Sequence, residues 1–409
     1  MISNMLPKML AGEDLLSALE YIPPYNESIR TEADAMRLMK LNELYNIYLP
    51  STMSVEIYSK LYLAMLRSVQ KKETKLATRQ RNENFRAIQQ RNGNGIIGGS
   101  DSFTVIGASG IGKSSAIDRA ISLITANRVI EAQNPHIKII PCICVQCPHD
   151  SSVKGLLLEI LRIVDEWLGS KYYEYAIRAR ATTDMLIGNV SQVSLNHVGL
   201  LVIDEIQNVC SSRNGNNLVA VLTQLINNSG ISICMVGTPG STSFFEKEMQ
   251  LARRSVGLFY NNLSYDRYFV WFCETVFRYQ YVKQQSEITD AAIEWLYQHS
   301  GGIVSVVISL VHDAQEVAIL NGKEILNLET LNEAYRGRLT MLHDYIRPSI
   351  ITNRQTSRPN KDKLPPMSCE ISVANDTESI IDLAKAAKTE GLELLDILKD
   401  RFAVVEVKI

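Results

Sequence analysis

The chain has 409 residues, of which 46% are apolar and 21% charged, and a formal net charge of −2. That length holds a full core and two or three packed units, and the near-neutral balance does not by itself point to a polyanion partner. No apolar run approaches ~18 residues, and the N-terminal MISNMLPKML has no signal-peptide core, so the expected location is cytoplasmic with no membrane partner.

Residues 1 to about 55 read as irregular segments and short helices, broken at Pro7, Pro23, Pro24 and Pro50. Ser54 to Gln70 reads as a helix. From Arg67 to Arg91 the chain turns basic, with Arg67, Lys71, Lys72, Lys75, Arg79, Arg81, Arg86 and Arg91 against Glu73 and Glu83. Either this is a solvated helix face or it neutralises phosphates. A glycine-rich joint, NGNGIIGGS, follows at 92–100.

Between 101 and about 250, apolar runs at 102–106, 138–146, 199–203 and 231–236 alternate with helical stretches at 152–168, 174–189 and 217–228. That rhythm predicts a parallel sheet with helices on both faces. Beyond 264 the pattern is helical throughout: 265–282, 289–299, 303–320 and 328–346. The polar, proline-bearing stretch from 352 to 366 reads as a linker, and 376–402 as two short amphipathic patterns suited to docking a partner or to packing on themselves. There is no internal repeat. The expected units are a helical extension at 1–98, an α/β core at 99–262, a helical unit at 263–350, a linker at 351–375 and a tail at 376–409.

The chemistry is most concentrated at 107–114, which reads Gly-Ala-Ser-Gly-Ile-Gly-Lys-Ser, a complete GxxxxGK[ST] phosphate loop. It follows a short buried strand and opens a helix. Gly107, Ser109, Gly110, Ile111, Gly112, Lys113, Ser114 and Ser115 are the expected ATP contacts. Lys113 is placed to reach the β and γ phosphates, and Ser114 to ligate Mg²⁺. The strand GLLVIDE at 199–205 ends in Asp204, suited to hold the metal, and Glu205, suited to polarise the attacking water. A third strand, ISICMV at 231–236, leads to Thr238. This residue either senses the γ phosphate or serves a structural turn. Arg253 and Arg254 lie where ring-forming ATPases place an arginine that reaches a neighbour's nucleotide, and the choice between them stays open.

Seven cysteines fit a reducing compartment better than a disulfide framework. Cys142, Cys144, Cys147 and His149 form the one cysteine cluster worth weighing as a metal site. They fall on an apolar strand with no second ligand pair elsewhere, so core packing is the expectation.

The segment from Val198 to Asn208 (VGLLVIDEIQN) with the following SSRNGN, the VGTPG at 236–240, the later LARR and the QCPHDSS at 146–152 together resemble the TnsC/TniB family of AAA+ transposition regulators. The resemblance runs from about 99 to 345 and is closer to TnsC of heteromeric transposase systems, CRISPR-associated transposons included, than to the shorter TniB type. It implies an α/β P-loop AAA+ core of strand order 5-1-4-3-2 with a C-terminal helical lid, alongside the N-terminal helical segment. It also implies ATP-dependent assembly into homo-oligomeric rings or filaments around duplex DNA, and a role joining a target-selection protein to the transposase. The family's pore residues follow the second strand, which points to Ser151, Ser152 and Lys154 as DNA contacts. Capping of the next helix by Asp150 or Ser151 is the alternative. Lys71, Lys75 and Arg79 of the basic stretch are the other DNA candidates. Neither segment interleaves aromatics, so any contact is expected to track the backbone without reading sequence. Many AAA+ lids supply an arginine to the nucleotide. The corresponding stretch here, GGIVSVV at 301–307, has none, which suits slow hydrolysis used as a switch. A helicase-loader or remodelling motor, and a signalling NTPase acting through protein partners, are the rival readings.

Overall fold

The computed structural model describes residues 2–90, 97, 102–126, 128–133, 136–149, 152–210, 215–242 and 257–340. The expected linker and tail, with Arg253, Arg254 and Ser151, lie outside the described residues.

Six strands form one sheet: β1 (Phe103–Gly107), β2 (Ile130–Gln133), β3 (His136–Gln146), β4 (Val198–Asp204), β5 (Ser232–Gly237) and β6 (Leu258–Tyr260), in the order β2-β3-β4-β5-β1-β6. From β6 to β3 all neighbours are parallel, with Val105 opposite both Val236 and Leu258, and Val202 opposite Cys144 and Cys234. Counting only those parallel strands from the phosphate-loop strand gives 5-1-4-3-2, as the resemblance implies. The addition is β2, which pairs antiparallel with β3 through Ile130 and Ile139 at the sheet edge. Four residues are too short to show a period, so this strand has no sequence signature.

Alternation along the strands sorts the core. Leu200, Val202, Cys142, Cys234 and Val236 pack with α3 (Thr52–Lys72) and α5 (Lys113–Thr125) on one face, where α1 (Gly12–Leu19) adds Leu15 and Leu19. Leu201, Ile203, Ile143 and Met235 pack on the other against α6 (Val153–Leu168), α8 (Thr183–His197) and α10 (Gly215–Ser229). Burial on both faces is why these strands read as continuous apolar runs. It also divides the cysteine cluster. Cys142 packs on the α3 side and Cys147 in the opposite cluster, and burial pushes the Cys144 thiol up to about 12, which disfavours the thiolate a metal needs.

The predicted helix at 174–189 is two helices, α7 (Tyr172–Arg178) and α8. Arg180 takes a left-handed φ of 48°, and the Thr182 hydroxyl accepts the Met185 N–H, so a capping threonine restarts the helix. The short helix α9 (Gln207–Cys210) follows β4.

The stretch expected to form the lid contains α11 (Arg267–Phe277), α12 (Asp290–Ser300), α13 (Val304–Leu320) and α14 (Leu328–Arg338). Its core includes residues from far upstream. Leu41, at the end of α2 (Asp34–Leu41), together with Leu44, Ile47 and Leu49, is buried among Phe269, Phe272, Tyr281 and Leu310. At about 1.5–3 kcal/mol for each buried side chain, these contacts anchor residues 41–49 to the lid. Arg37 reinforces them. Its side chain is fully buried and meets Glu324 in a two-pronged pair at 2.6 and 2.7 Å, with a further bond to the Tyr281 carbonyl at 2.9 Å. Among the described residues no single helix is long and apolar enough to cross a membrane.

Candidate nucleotide site

Parallel strands deliver their carboxyl ends to one edge of the sheet, and the expected chemistry collects there. β1 runs into the phosphate loop, where Gly110 and Gly112 adopt φ of 81° and 96°, conformations that side chains other than glycine rarely take. Gly112 sits at the N-cap of α5, so the loop presents a helix N-terminus. Lys113 is buried, and its Nζ donates to the carbonyls of Gly107 and Ala108, both at 2.7 Å. Burial lowers its pKa, while Asp204 and Glu205 act in the opposite direction. Ile111 is buried, whereas Ser109, Ser114 and Ser115 are exposed at the loop and first helical turn.

Across the edge, the Ser114 hydroxyl donates to Asp204 Oδ2 at 2.9 Å, and the other carboxylate oxygen of Asp204 accepts the Glu205 N–H at 2.7 Å. Glu205 is exposed and turns off the strand with φ 59°. A non-glycine residue held there costs on the order of 1 kcal/mol or more, which the surrounding structure must offset. Thr238 leaves β5, the strand between β1 and β4, and is half-buried beside this turn.

Two residues not singled out in the sequence complete the edge. The Gln207 side chain donates to the Glu205 carboxylate and accepts the Thr238 N–H at 3.3 Å. Asn208 donates to the Cys147 carbonyl at 2.9 Å, tying the same turn to the loop after β3. Both fall in the IQN that follows Asp-Glu, so the motif contained the signal. Their reach across strands is a tertiary fact.

The lid meets the site through its backbone. The Ser305 N–H, in the first turn of α13, donates to the Gly110 carbonyl at 3.0 Å, and a Cβ at Gly110 would stand 2.3 Å from Ser305 Oγ.

The residues present fit a magnesium-bound nucleoside triphosphate. Lys113 is held by neutral carbonyls, which leaves its charge for an anion, and a hydroxyl beside a carboxylate is the oxygen donor set that a hard divalent cation takes.

The DNA candidates separate. Gln146 lies opposite Asp204, so the loop after β3 leaves from the nucleotide edge. Lys154 is exposed on the first turn of α6, while the Ser152 hydroxyl accepts the Gly155 N–H and is therefore the helix cap, the role weighed for its two predecessors. The basic stretch lies elsewhere and is not one face. Lys72 is buried and donates to the Ser194 and Val198 carbonyls, at the beginning of β4, and burial pushes it down to about 7. Arg81 turns inward to Asn196. Lys71 is half-buried at the end of α3, and Lys75 and Arg79 are exposed on α4 (Lys75–Gln90). The strand β4 thus separates the Lys72 end of this stretch from Lys154.

The strand order, phosphate loop and paired acids define an AAA+-type P-loop NTPase fold. Residues 58–259 match the model of the family described as bacterial TniB protein, consistent with the resemblance to the TnsC/TniB family. No curated protein matches the chain. Among solved structures it is similar to Aeropyrum pernix Orc1 in complex with DNA, at 14% identity and a TM-score of 0.43, covering 64% of this chain and 63% of that one. It is also similar to the Thermotoga maritima RuvB Holliday junction branch migration motor, at 12% identity and a TM-score of 0.35, covering 64% and 67%. C. elegans PCH-2 matches at 12% identity and a TM-score of 0.36, covering 74% and 72%.

Proposed function

We propose that this protein is an ATP-dependent regulator of DNA transposition that assembles as a ring or filament on duplex DNA, links a target-selection protein to the transposase, and uses slow hydrolysis to disassemble. The observation that carries the reading is the 2.9 Å contact between Ser114 and Asp204, with Glu205 next in the chain. It supports a metal-dependent triphosphate site on the same sheet edge as the loop bearing Lys154.

In this reading Lys113 binds the β and γ phosphates, while Ser114 and Asp204 hold Mg²⁺, which supplies charge neutralisation on the phosphates when bound. Glu205 accepts the proton of the attacking water, and Thr238 orients it. Arg253 or Arg254 acts on the neighbouring subunit's nucleotide. The loop 148–154 contacts the DNA backbone, and Lys71, Lys75 and Arg79 form the other candidate phosphate-binding surface. Among the described residues the lid meets the phosphate loop through the Ser305 amide, and the adjoining 301–307 carries no arginine, which supports slow turnover.

Electron microscopy on plain duplex, comparing ADP with a non-hydrolysable ATP analogue, tests the proposal. Rings or filaments are expected only with the analogue, and none with Lys113→Ala. Assembly that ignores nucleotide, or none under any condition, refutes it.

A further inference from the structure

We infer that Gln207 is the positioning residue for Glu205, setting the carboxylate against the end of β5 so that it meets the attacking water in one orientation. The inference rests on the ATPase reading above and assigns a role to a residue outside the usual P-loop set.

The geometry leaves the amide one way to lie. A carboxylate can only accept hydrogen bonds and a backbone N–H can only donate. The Gln207 Nε2 must therefore face Glu205 and its Oε1 must face the Thr238 N–H, which is the arrangement observed. One side chain thus spans from the base that follows β4 to the residue that follows β5. The passage is cleared by Gly237, where a Cβ would stand 2.7 Å from the Ile206 side chain and 3.2 Å from Gln207 Oε1. A backbone bond from the Ile206 N–H to the Val236 carbonyl, at 2.9 Å, fixes the turn between them. Glu205 itself sits at φ 59°, so its own backbone does not favour this direction and outside contacts must hold it.

The chemical step is simple. As the water oxygen bonds to the γ phosphorus and the bond to the β–γ bridging oxygen breaks, the water proton passes to Glu205, giving ADP and phosphate. Gln207 occupies one carboxylate oxygen and so directs the other. A donor on one oxygen and an anchor on Thr238 restrict rotation of a side chain that is otherwise exposed to solvent. Misplacing a reacting group by about 1 Å can cost on the order of 100-fold in rate.

Three variants of the full chain separate this role from a structural one. Gln207→Met keeps the length and loses both bonds. Gln207→Glu keeps an acceptor for Thr238 but sets a carboxylate against Glu205. Each is expected to lower kcat by roughly 10- to 100-fold while KM and the affinity for a fluorescent ADP change by less than about twofold. In the nucleotide-free protein, hydrogen exchange at the Thr238 amide should quicken in Gln207→Met and stay protected in Gln207→Glu, splitting the two ends of the bridge. In a Glu205→Gln background, Gln207→Met should add almost nothing to the loss, because its effect passes through the missing carboxylate. An unchanged or raised kcat in Gln207→Met, a parallel loss of nucleotide affinity, or full additivity with Glu205→Gln overturns the inference. A wild-type chain that binds ATP but does not turn it over overturns the ATPase reading as well, so the two failures are distinguishable.

Discussion

The nucleotide edge and the lid are stabilised in opposite ways. At the edge, short segments each arrive with their own motif, and the parallel sheet brings them together: 107–114 from β1, 204–208 from β4 and Thr238 from β5. The lid depends on a partner almost a whole chain away, with Arg37 buried against Glu324 and Leu41 to Leu49 filling its core. One region is built from local patterns placed by topology. The other is closed by contacts that no local pattern announces.

The largest effects should come from the edge. Glu205→Gln removes the proposed base while leaving the Ser114–Asp204 pair intact, so kcat should fall by about 10²- to 10⁴-fold with little change in nucleotide affinity. Assemblies formed with ATP should then persist on DNA. Their normal disassembly, followed by light scattering after dilution, would remove the hydrolysis switch from the model.

Breaking the lid should change stability and spare the chemistry. Arg37→Met leaves Glu324 buried beside Lys283 and without its two-pronged partner, a loss of about 3–5 kcal/mol if it behaves like other broken buried pairs. Burial opposes the Glu324 charge, yet the Arg37 and Lys283 bonds outweigh it and hold its pKa down at about 2. An unfolded carboxylate titrates near ~4.3. The folded group therefore stays charged where the unfolded one takes up a proton. Its stabilisation is complete above about pH 4.3 and drains away as pH falls toward 2. Thermal melting of wild type should weaken across that window, and Glu324→Gln should flatten that part of the dependence. An identical pH slope in the variant would contradict the assignment.

Much of the edge was legible because each motif couples identity to spacing. The lid helices were legible as elements, since Phe269, Phe272, Val276 and Phe277 keep a helical period. Their closure was not. Arg37 stands on a short helix of mixed character, and nothing near it marks a partner at 324. The basic stretch was legible only in part, for a related reason. Charge counts along a chain do not show direction, and Lys72 turns inward to cap the carbonyls at the end of α8 while Lys75 and Arg79 face solvent. Gln207 and Asn208 lay inside a recognised motif, but their roles depend on how β4 and β5 end side by side.

Where the two regions touch, a smaller effect is expected. Gly110→Ala places a methyl 2.3 Å from Ser305 Oγ and forces alanine to φ 81°, so it should displace the lid from the loop at a cost of roughly 1–3 kcal/mol. Adding Ser305→Gly removes the hydroxyl from the methyl's path but leaves the Ile303 side chain at 2.9 Å and the dihedral strain. Nucleotide affinity should therefore recover in part. Full recovery would mean that the backbone conformation is unimportant, and none would mean that the hydroxyl is not the obstacle.

The smallest effect distinguishes the two candidate DNA surfaces. Lys154 stands on the nucleotide edge, whereas Lys72 of the basic stretch meets the other end of β4, so the two need not act together. A lysine that neutralises one phosphate contributes about one unit to the slope of log affinity against log salt, largely independent of sequence. Lys154→Ala should reduce that slope by about one in the ATP-bound assembly, while a Lys75→Ala and Arg79→Ala pair should leave it unchanged if the edge loop is the contact. The reverse pattern would move the DNA to the α4 surface and detach it from the turn that Asn208 ties to Glu205. Because Asn208 holds the Cys147 carbonyl, only the first outcome gives DNA a short physical path to Glu205, the proposed base.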